Sequence, residues 1–155
     1  RDFQGKGWAV EVKTTTTNNP QVLIINGERQ LDDSMVDELY LYHCSMEVSN
    51  QSGTSLPELV NEIKELLINE VDAYSIFNAK LFEAGYYQWH ETTYNTRRYK
   101  IRKDSFYRVK DKFPRIKENE LREGVGNVRY AISISSFEDY KIPENIVIEK
   151  CLSHE

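Results

Sequence analysis

The sequence predicts a protein of α/β to α+β class, and three observations predict it. Leu39 to Val48 alternates its side chains at the period of a strand. Leu56, Leu59, Val60, Ile63, Leu66 and Leu67 recur at the period of a helix. The stretches 98–102, 106–110 and 128–135, rich in Tyr, Ile and Val, then read as strands that follow the helices. The chain of 155 residues is 39% hydrophobic and 29% charged, which fits one domain or one large fragment with its own core. Seven Gly and four Pro exclude a collagen-like or low-complexity chain. No run of about 18 uncharged apolar residues is present to cross a bilayer, so no membrane partner is expected.

The elements are justified in chain order. Asp2-Phe3 leads through Gly5-Lys6-Gly7 into Trp8-Ala9-Val10-Glu11-Val12-Lys13-Thr14, two short strands joined by a glycine-bearing turn, which predicts a hairpin. Val22 to Ile25 reads as a buried strand or the entry to a helix, with strand favoured. In the next strand Tyr40, Tyr42, Cys44, Met46 and Val48 share one face, and His43 lies on the more polar opposite face. Ser55 with Glu58 three residues on forms a capping box that starts a helix, whose apolar stripe is expected to pack on the sheet. A second helix is predicted from near Asp72 to Ala84, with Ile76, Phe77, Leu81 and Ala84 inward and Gly85 ending it. These patterns divide the chain into residues 1–54 as part of a core sheet, 55–142 as a helical and β extension, and 143–155 as a tail.

Charge is placed unevenly. Residues 1–96 carry 6 Lys+Arg against 15 Asp+Glu, residues 97–117 carry 10 against 2, and residues 118–155 carry 4 against 8. The net charge of −5 therefore conceals one strongly basic segment. Cys44 and Cys151 are far apart and form no CxxC pair, and no signal-peptide pattern opens the chain. A reducing, cytoplasmic setting is expected. His43, His90 and His154 stand at no metal-ligand spacing, which argues against a zinc site. Cys44 reads as a small buried hydrophobe, not a nucleophile. No phosphate-cradling or dinucleotide-binding glycine motif occurs.

The chemistry-bearing pattern is Glu11-Val12-Lys13, acid, apolar, base on one strand. The period of two puts carboxylate and ammonium on one face while Val12 points into the core. If Lys6-Gly7 is the turn, Gly5 pairs with Trp8 and Asp2 falls directly across from Glu11. Opposed carboxylates with Cβ atoms about 5 Å apart repel unless a cation lies between them. Mg²⁺, a hard ion content with one or two carboxylates, waters and a phosphate, suits the place, and Mn²⁺ is the alternative. Lys13 would then orient an attacking water or neutralise charge developing on a phosphate. A solvated surface ion pair is the plain alternative.

D-(x8)-E-V-K resembles the signature of the PD-(D/E)XK, or restriction-endonuclease-like, nuclease superfamily. The surrounding order strengthens the likeness: R-Q-L-D at Arg29 to Asp32, S-L-P-E-L-V, a helix ending A-G-Y, Y-K-I-R-K-D-S-F-Y-R-V, F-P-R-I and V-G-N-V-R-Y-A-I-S-I. It is similar to a bacterial family of PD-(D/E)XK motif proteins associated with restriction-modification and phage-defence gene sets, over roughly Asp2 to Ile142. The resemblance implies a restriction-endonuclease-like core, a central mixed sheet flanked by helices, carrying a C-terminal α+β extension. It implies Asp2 and Glu11 as Mg²⁺ ligands, the Val12 carbonyl as a further ligand, Lys13 as helper of the attacking water and Gln30 as a catalytic residue near the scissile phosphate. Gln30 reads equally as a turn residue leading to Asp32 and Asp33. The superfamily core has a helix and a strand before the Asp2 position, so an N-terminally truncated fragment is expected.

Arg97, Arg98, Lys100, Arg102, Lys103, Arg108 and Lys110 are interleaved with Tyr99, Phe106 and Tyr107, a pattern suited to DNA phosphates, with the aromatics mostly in the core. A solvated charged hairpin is the alternative. The expected function is Mg²⁺-dependent endonuclease cleavage of DNA, with other defence or restriction-modification subunits and a homodimer partner as possible associates. A non-catalytic DNA-binding or assembly subunit on the same fold is the rival. A protein-interaction domain docking through the helix Leu56 to Leu67 is a third reading.

Overall fold

The computed structural model describes residues 1–153; His154 and Glu155, at the end of the 143–155 tail, lie outside the described residues. The chain divides into two compact units, Arg1–Met46 with Ile101–Glu155, and Glu47–Lys100.

In the first unit, β1 (Phe3–Gly5) and β2 (Trp8–Thr15) form the expected hairpin, registered Phe3↔Val10, Gln4↔Ala9 and Gly5↔Trp8. Gly7 adopts φ 79°, a left-handed conformation that glycine reaches without a Cβ penalty, and this closes the turn. On its other edge β2 runs parallel to β4 (Glu38–Ser49), with Glu11 opposite Leu41 and Lys13 opposite His43. The sheet continues to β6 (Arg98–Arg108), which pairs antiparallel with β8 (Lys141–Ile142). β3 (Val22–Asn26) and β7 (Arg129–Ser133) make a separate antiparallel pair.

Both faces of this sheet are covered. Ala9, Leu39 and Leu41 pack with Leu23, Ile25, Leu31, Ile132 and Phe137 on one side. On the other, Val10 and Tyr40 pack against Val147 of the C-terminal helix α4 (Glu144–Leu152), an element absent from the sequence expectations. The observed fold is thus a mixed sheet flanked by helices, in keeping with the restriction-endonuclease-like architecture. Three local expectations are corrected. The polar face assigned to His43 is buried, because β4 is an interior strand sandwiched between packed layers, and its burial loses the period of two from Leu39 to Ser45. Val12 points not into the main core but into the smaller cluster under α4. The separate strands 98–102 and 106–110 are one strand: Asp104 accepts a hydrogen bond from the Tyr42 hydroxyl at 2.7 Å and Ser105 is buried, so no turn interrupts them.

The second unit contains α1 (Leu56–Leu66), α2 (Val71–Glu83), the short α3 (Glu91–Tyr94), and β5 (Thr54–Ser55) paired with Arg98 and Tyr99 of β6. The capping box is formed: the Glu58 amide donates to Ser55 Oγ at 3.4 Å and the Ser55 amide to Glu58 Oε2 at 2.9 Å. α2 ends as expected at Gly85, φ 81°, with the Tyr86 amide reaching back to the Leu81 carbonyl at 2.9 Å. The apolar stripes are a correction. In α1 only Pro57 and Val60 are buried, and α2 buries none of its residues, Ile76 included. A unit of this size has too much surface for its volume to cover two amphipathic helices.

Candidate active site

The site is built from β2 outward. Asp2 lies one residue beyond the last registered pair, Phe3↔Val10; its amide donates to the Val10 carbonyl at 3.1 Å, and its Oδ2 accepts from the Val12 amide at 2.7 Å. Glu11 shares a face with Ala9 and Lys13 and is only 2% exposed. Its Oε1 lies 2.9 Å from Lys13 Nζ. Its Oε2 is buried without a hydrogen bond, the Arg1 main-chain nitrogen standing 3.4 Å off. A surface ion pair would be solvated on both oxygens; this pair is not.

Gln30 completes the group from the loop after β3. Its Oε1 accepts from Lys13 Nζ at 2.7 Å and from the Asn26 amide at 2.9 Å, so one carbonyl oxygen ties the loop and aims the ammonium. Gln30 is therefore both a turn residue and a neighbour of Lys13. The loop is braced by residues that the sequence reading left without a role. Asp33 accepts from Arg115 at 2.7 Å and Lys117 at 2.6 Å. Burial pushes the Asp33 carboxyl up, but these two cations outweigh it and hold it below its usual range. Asp32 accepts from the Ser34 and Glu118 amides at 2.9 and 3.1 Å. Burial opposes ionisation there too, and the amide donors prevail and lower its pKa. The acids of R-Q-L-D-D and the bases Arg115 and Lys117 are each visible in the sequence, but their pairing over more than 80 residues of chain is invisible to local pattern.

The basic residues do not form one stripe. The period of two along β6 sends Arg102 and Arg108 to one face and Lys103 to the other, the face that carries Lys13 and His43. Arg98, within the second unit, is paired with Glu58 at 2.6 Å and donates to the Gly53 carbonyl; Arg97 and Lys100 of that unit are exposed. Arg102 donates to the Thr16 and Thr17 carbonyls at 3.4 and 3.2 Å. Arg108 lies 3.4 Å from Glu38 and over the Tyr40 ring, and Lys110 stands 3.8 Å from Asp111. The aromatic expectation holds for Phe106, packed on Tyr42, and for buried Tyr107.

Beside Lys13 along the sheet lies a cavity of about 380 Å³, lined by His43, Ser45, Lys103, Ser105, Tyr107 and Glu138 among others. His43 Nε2 is 2.9 Å from Thr15 Oγ1. Burial, then nearby Lys103, push the imidazole pKa down despite the opposing Glu138 charge.

Compared with known families, residues 1–135 match a family model described as "Putative PD-(D/E)XK family member, (DUF4420)". The chain belongs to this family. No curated protein and no solved structure matches it. Membership in a PD-(D/E)XK family places the chain among nuclease-like hydrolases, a class whose members use divalent metal ions. Among the described residues no three His, Cys, Asp or Glu side chains are grouped to hold an ion, and no helix is long and apolar enough to cross a membrane.

Proposed function

We propose that this PD-(D/E)XK family member is a Mg²⁺-dependent DNA endonuclease of the bacterial cytoplasm, hydrolysing phosphodiester bonds in restriction or phage defence. The observation that carries the reading is the buried Glu11 joined to Lys13 on one strand, with Asp2 bonded to the Val12 amide between them and Gln30 holding the lysine. Burying a carboxylate costs several kcal/mol unless it is compensated, and here Oε2 accepts no hydrogen bond and has only the Arg1 main-chain nitrogen at 3.4 Å where a cation would bind. Asp2 and Glu11 fit a hard divalent cation, which with only two carboxylates would keep waters or take a phosphate oxygen. Bound there, the ion would polarise the scissile phosphate.

The protein groups have separate tasks in this reading. Glu11 supplies negative charge from a rigid interior strand. Asp2 is oriented by the Val12 amide, which leaves its second oxygen for the cation. Lys13 holds positive charge beside the attacked phosphate and orients the water, and Gln30 is a positioning residue that keeps the ammonium in place. Lys103 and the exposed Arg97, Lys100 and Lys110 contact DNA phosphates, with Arg98, Arg102 and Arg108 contributing from their paired positions.

The test is cleavage of supercoiled plasmid with Mg²⁺ or Mn²⁺ against an EDTA control. The wild-type chain is expected to nick or linearise DNA, and Lys13→Ala to lose about 100-fold or more of that rate while its circular dichroism is retained. Equal cleavage by Lys13→Ala, or cleavage in EDTA, would overturn the mechanism. Salt-sensitive binding without cleavage by the wild type would favour the non-catalytic DNA module.

A further inference from the structure

The cavity beside Lys13 has no role in phosphate chemistry, and its lining argues for a ligand of its own. It is walled by the interior strand β4 through His43 and Ser45, by β6 through Lys103, Ser105 and Tyr107, and by Glu138. His43 is the direct strand partner of Lys13, so the strand that walls the cavity is the immediate neighbour of the one that carries the proposed catalytic lysine. Its volume of about 380 Å³ falls within the range of small-ligand sites, about 300–1,000 Å³.

The lining favours an uncharged heterocycle over an anion. One carboxylate, Glu138, and one ammonium, Lys103, line the space, while the Asp104 carboxylate is turned to the Tyr42 hydroxyl; the wall thus carries no excess of positive charge to hold a phosphate. His43 is buried, and the one hydrogen bond of its ring among the described residues goes to Thr15, leaving the other ring nitrogen for a ligand. The Ser45 hydroxyl can donate or accept, Ser105 Oγ, which donates to the Asp104 carbonyl, can still accept, and the Tyr107 ring and Ile134 supply apolar surface. Glu138 accepts from the Tyr107 hydroxyl at 3.3 Å through Oε1, and its Oε2 has no hydrogen bond among the described residues.

From this geometry we infer that the cavity is a nucleobase pocket, which takes an unstacked base bearing an exocyclic amino group, such as cytosine or adenine, in preference to thymine, from the strand cleaved at Glu11 and Lys13. The carboxylate of Glu138 accepts from the amino group, whereas thymine would present a carbonyl oxygen to it. Placing a base here holds the adjoining backbone against Lys13 and requires a single strand or a flipped nucleotide. The inference rests on the nuclease reading for its strand, but the pocket is tested without cleavage.

The experiment is a titration of the isotopically labelled chain in EDTA with dCMP and dAMP, and with dTMP for comparison, followed by amide and imidazole NMR shifts. Shifts are expected at His43, Ser45 and Lys103, with at least one amino-bearing nucleotide binding about tenfold tighter than dTMP. Ser135→Trp, at an exposed position on the cavity rim, should abolish these shifts, and Glu138→Gln should erase the preference while leaving binding. Absence of shifts around His43, equal affinity for dTMP, or unchanged binding by Ser135→Trp would overturn the pocket. Since no metal or cleavage enters, such a result leaves the plasmid assay to judge the nuclease separately.

Discussion

The two units hold their shape by different means. In the first, Leu23, Ile25, Leu31, Leu39, Leu41 and Phe137 are essentially sealed from water, and the candidate site sits at the margin of that layer. In the second, Val60 is the one strongly apolar side chain buried among the described residues, while Leu66 is 82% and Val71 78% exposed. Its order comes from local devices: the Ser55–Glu58 box, the Gly85 helix end, the Tyr86–Tyr94 stack at 5.1 Å and the Arg98–Glu58 pair. Core burial contributes several kcal/mol per large side chain, and each local device about 1 kcal/mol or less. Burial is thus concentrated in the unit that carries the candidate site.

The largest effect that would break this contrast is in the core. Leu41→Ala should cost about 2–5 kcal/mol in urea unfolding, because Leu41 is wholly buried beside Glu11, whereas Leu66→Ala should stay within about 0.5 kcal/mol. Equal costs would mean that the α1 stripe is a second core, and the contrast would fail.

The same contrast explains what could be read from sequence. The hairpin register was legible because Gly5, Gly7 and the alternation around Glu11 are local signals. The α1 cap and the α2 end were legible for the same reason. What local pattern could not show was coverage: an apolar stripe states that a helix has a face, not that anything lies upon it. Nor could it show that His43 is interior, since alternation fails on a strand packed on both sides. The contact between Gln30 and Lys13 depends on the β3 to Gln30 loop folding back across the sheet, and no spacing along the chain encodes that distance.

A smaller effect sharpens the second unit alone. Ser55→Ala removes the acceptor for the Glu58 amide and also the bond from Ser55 Oγ to Asn95 Oδ1 at 2.7 Å. The expected cost is about 1 kcal/mol, read as faster hydrogen exchange of α1 amides with β2 and β4 amides unchanged. Loss of protection in β2 as well would show that the units unfold together.

The smallest effect is a pH slope that belongs to the first unit. His43 has its pKa lowered from 6.5 by burial and then by Lys103, with Glu138 opposing, so the unfolded chain binds the proton more readily than the folded one. Stability is therefore full above about pH 6.5 and falls as the pH drops from there to the folded pKa, levelling off below it. The lowered carboxylates cannot imitate this. Asp32 and Asp33 start from 3.8, Glu28 and Glu38 from 4.5, and each contributes stability that is present above those values and lost only at lower pH. Urea midpoints between about pH 7.5 and 5.5 should thus decline in the wild type and flatten in His43→Gln. Protection of β4 amides should weaken over the same interval while α1 amides hold. A slope that survives in His43→Gln would mean that a group other than this imidazole carries it, and the attribution to His43 would fall.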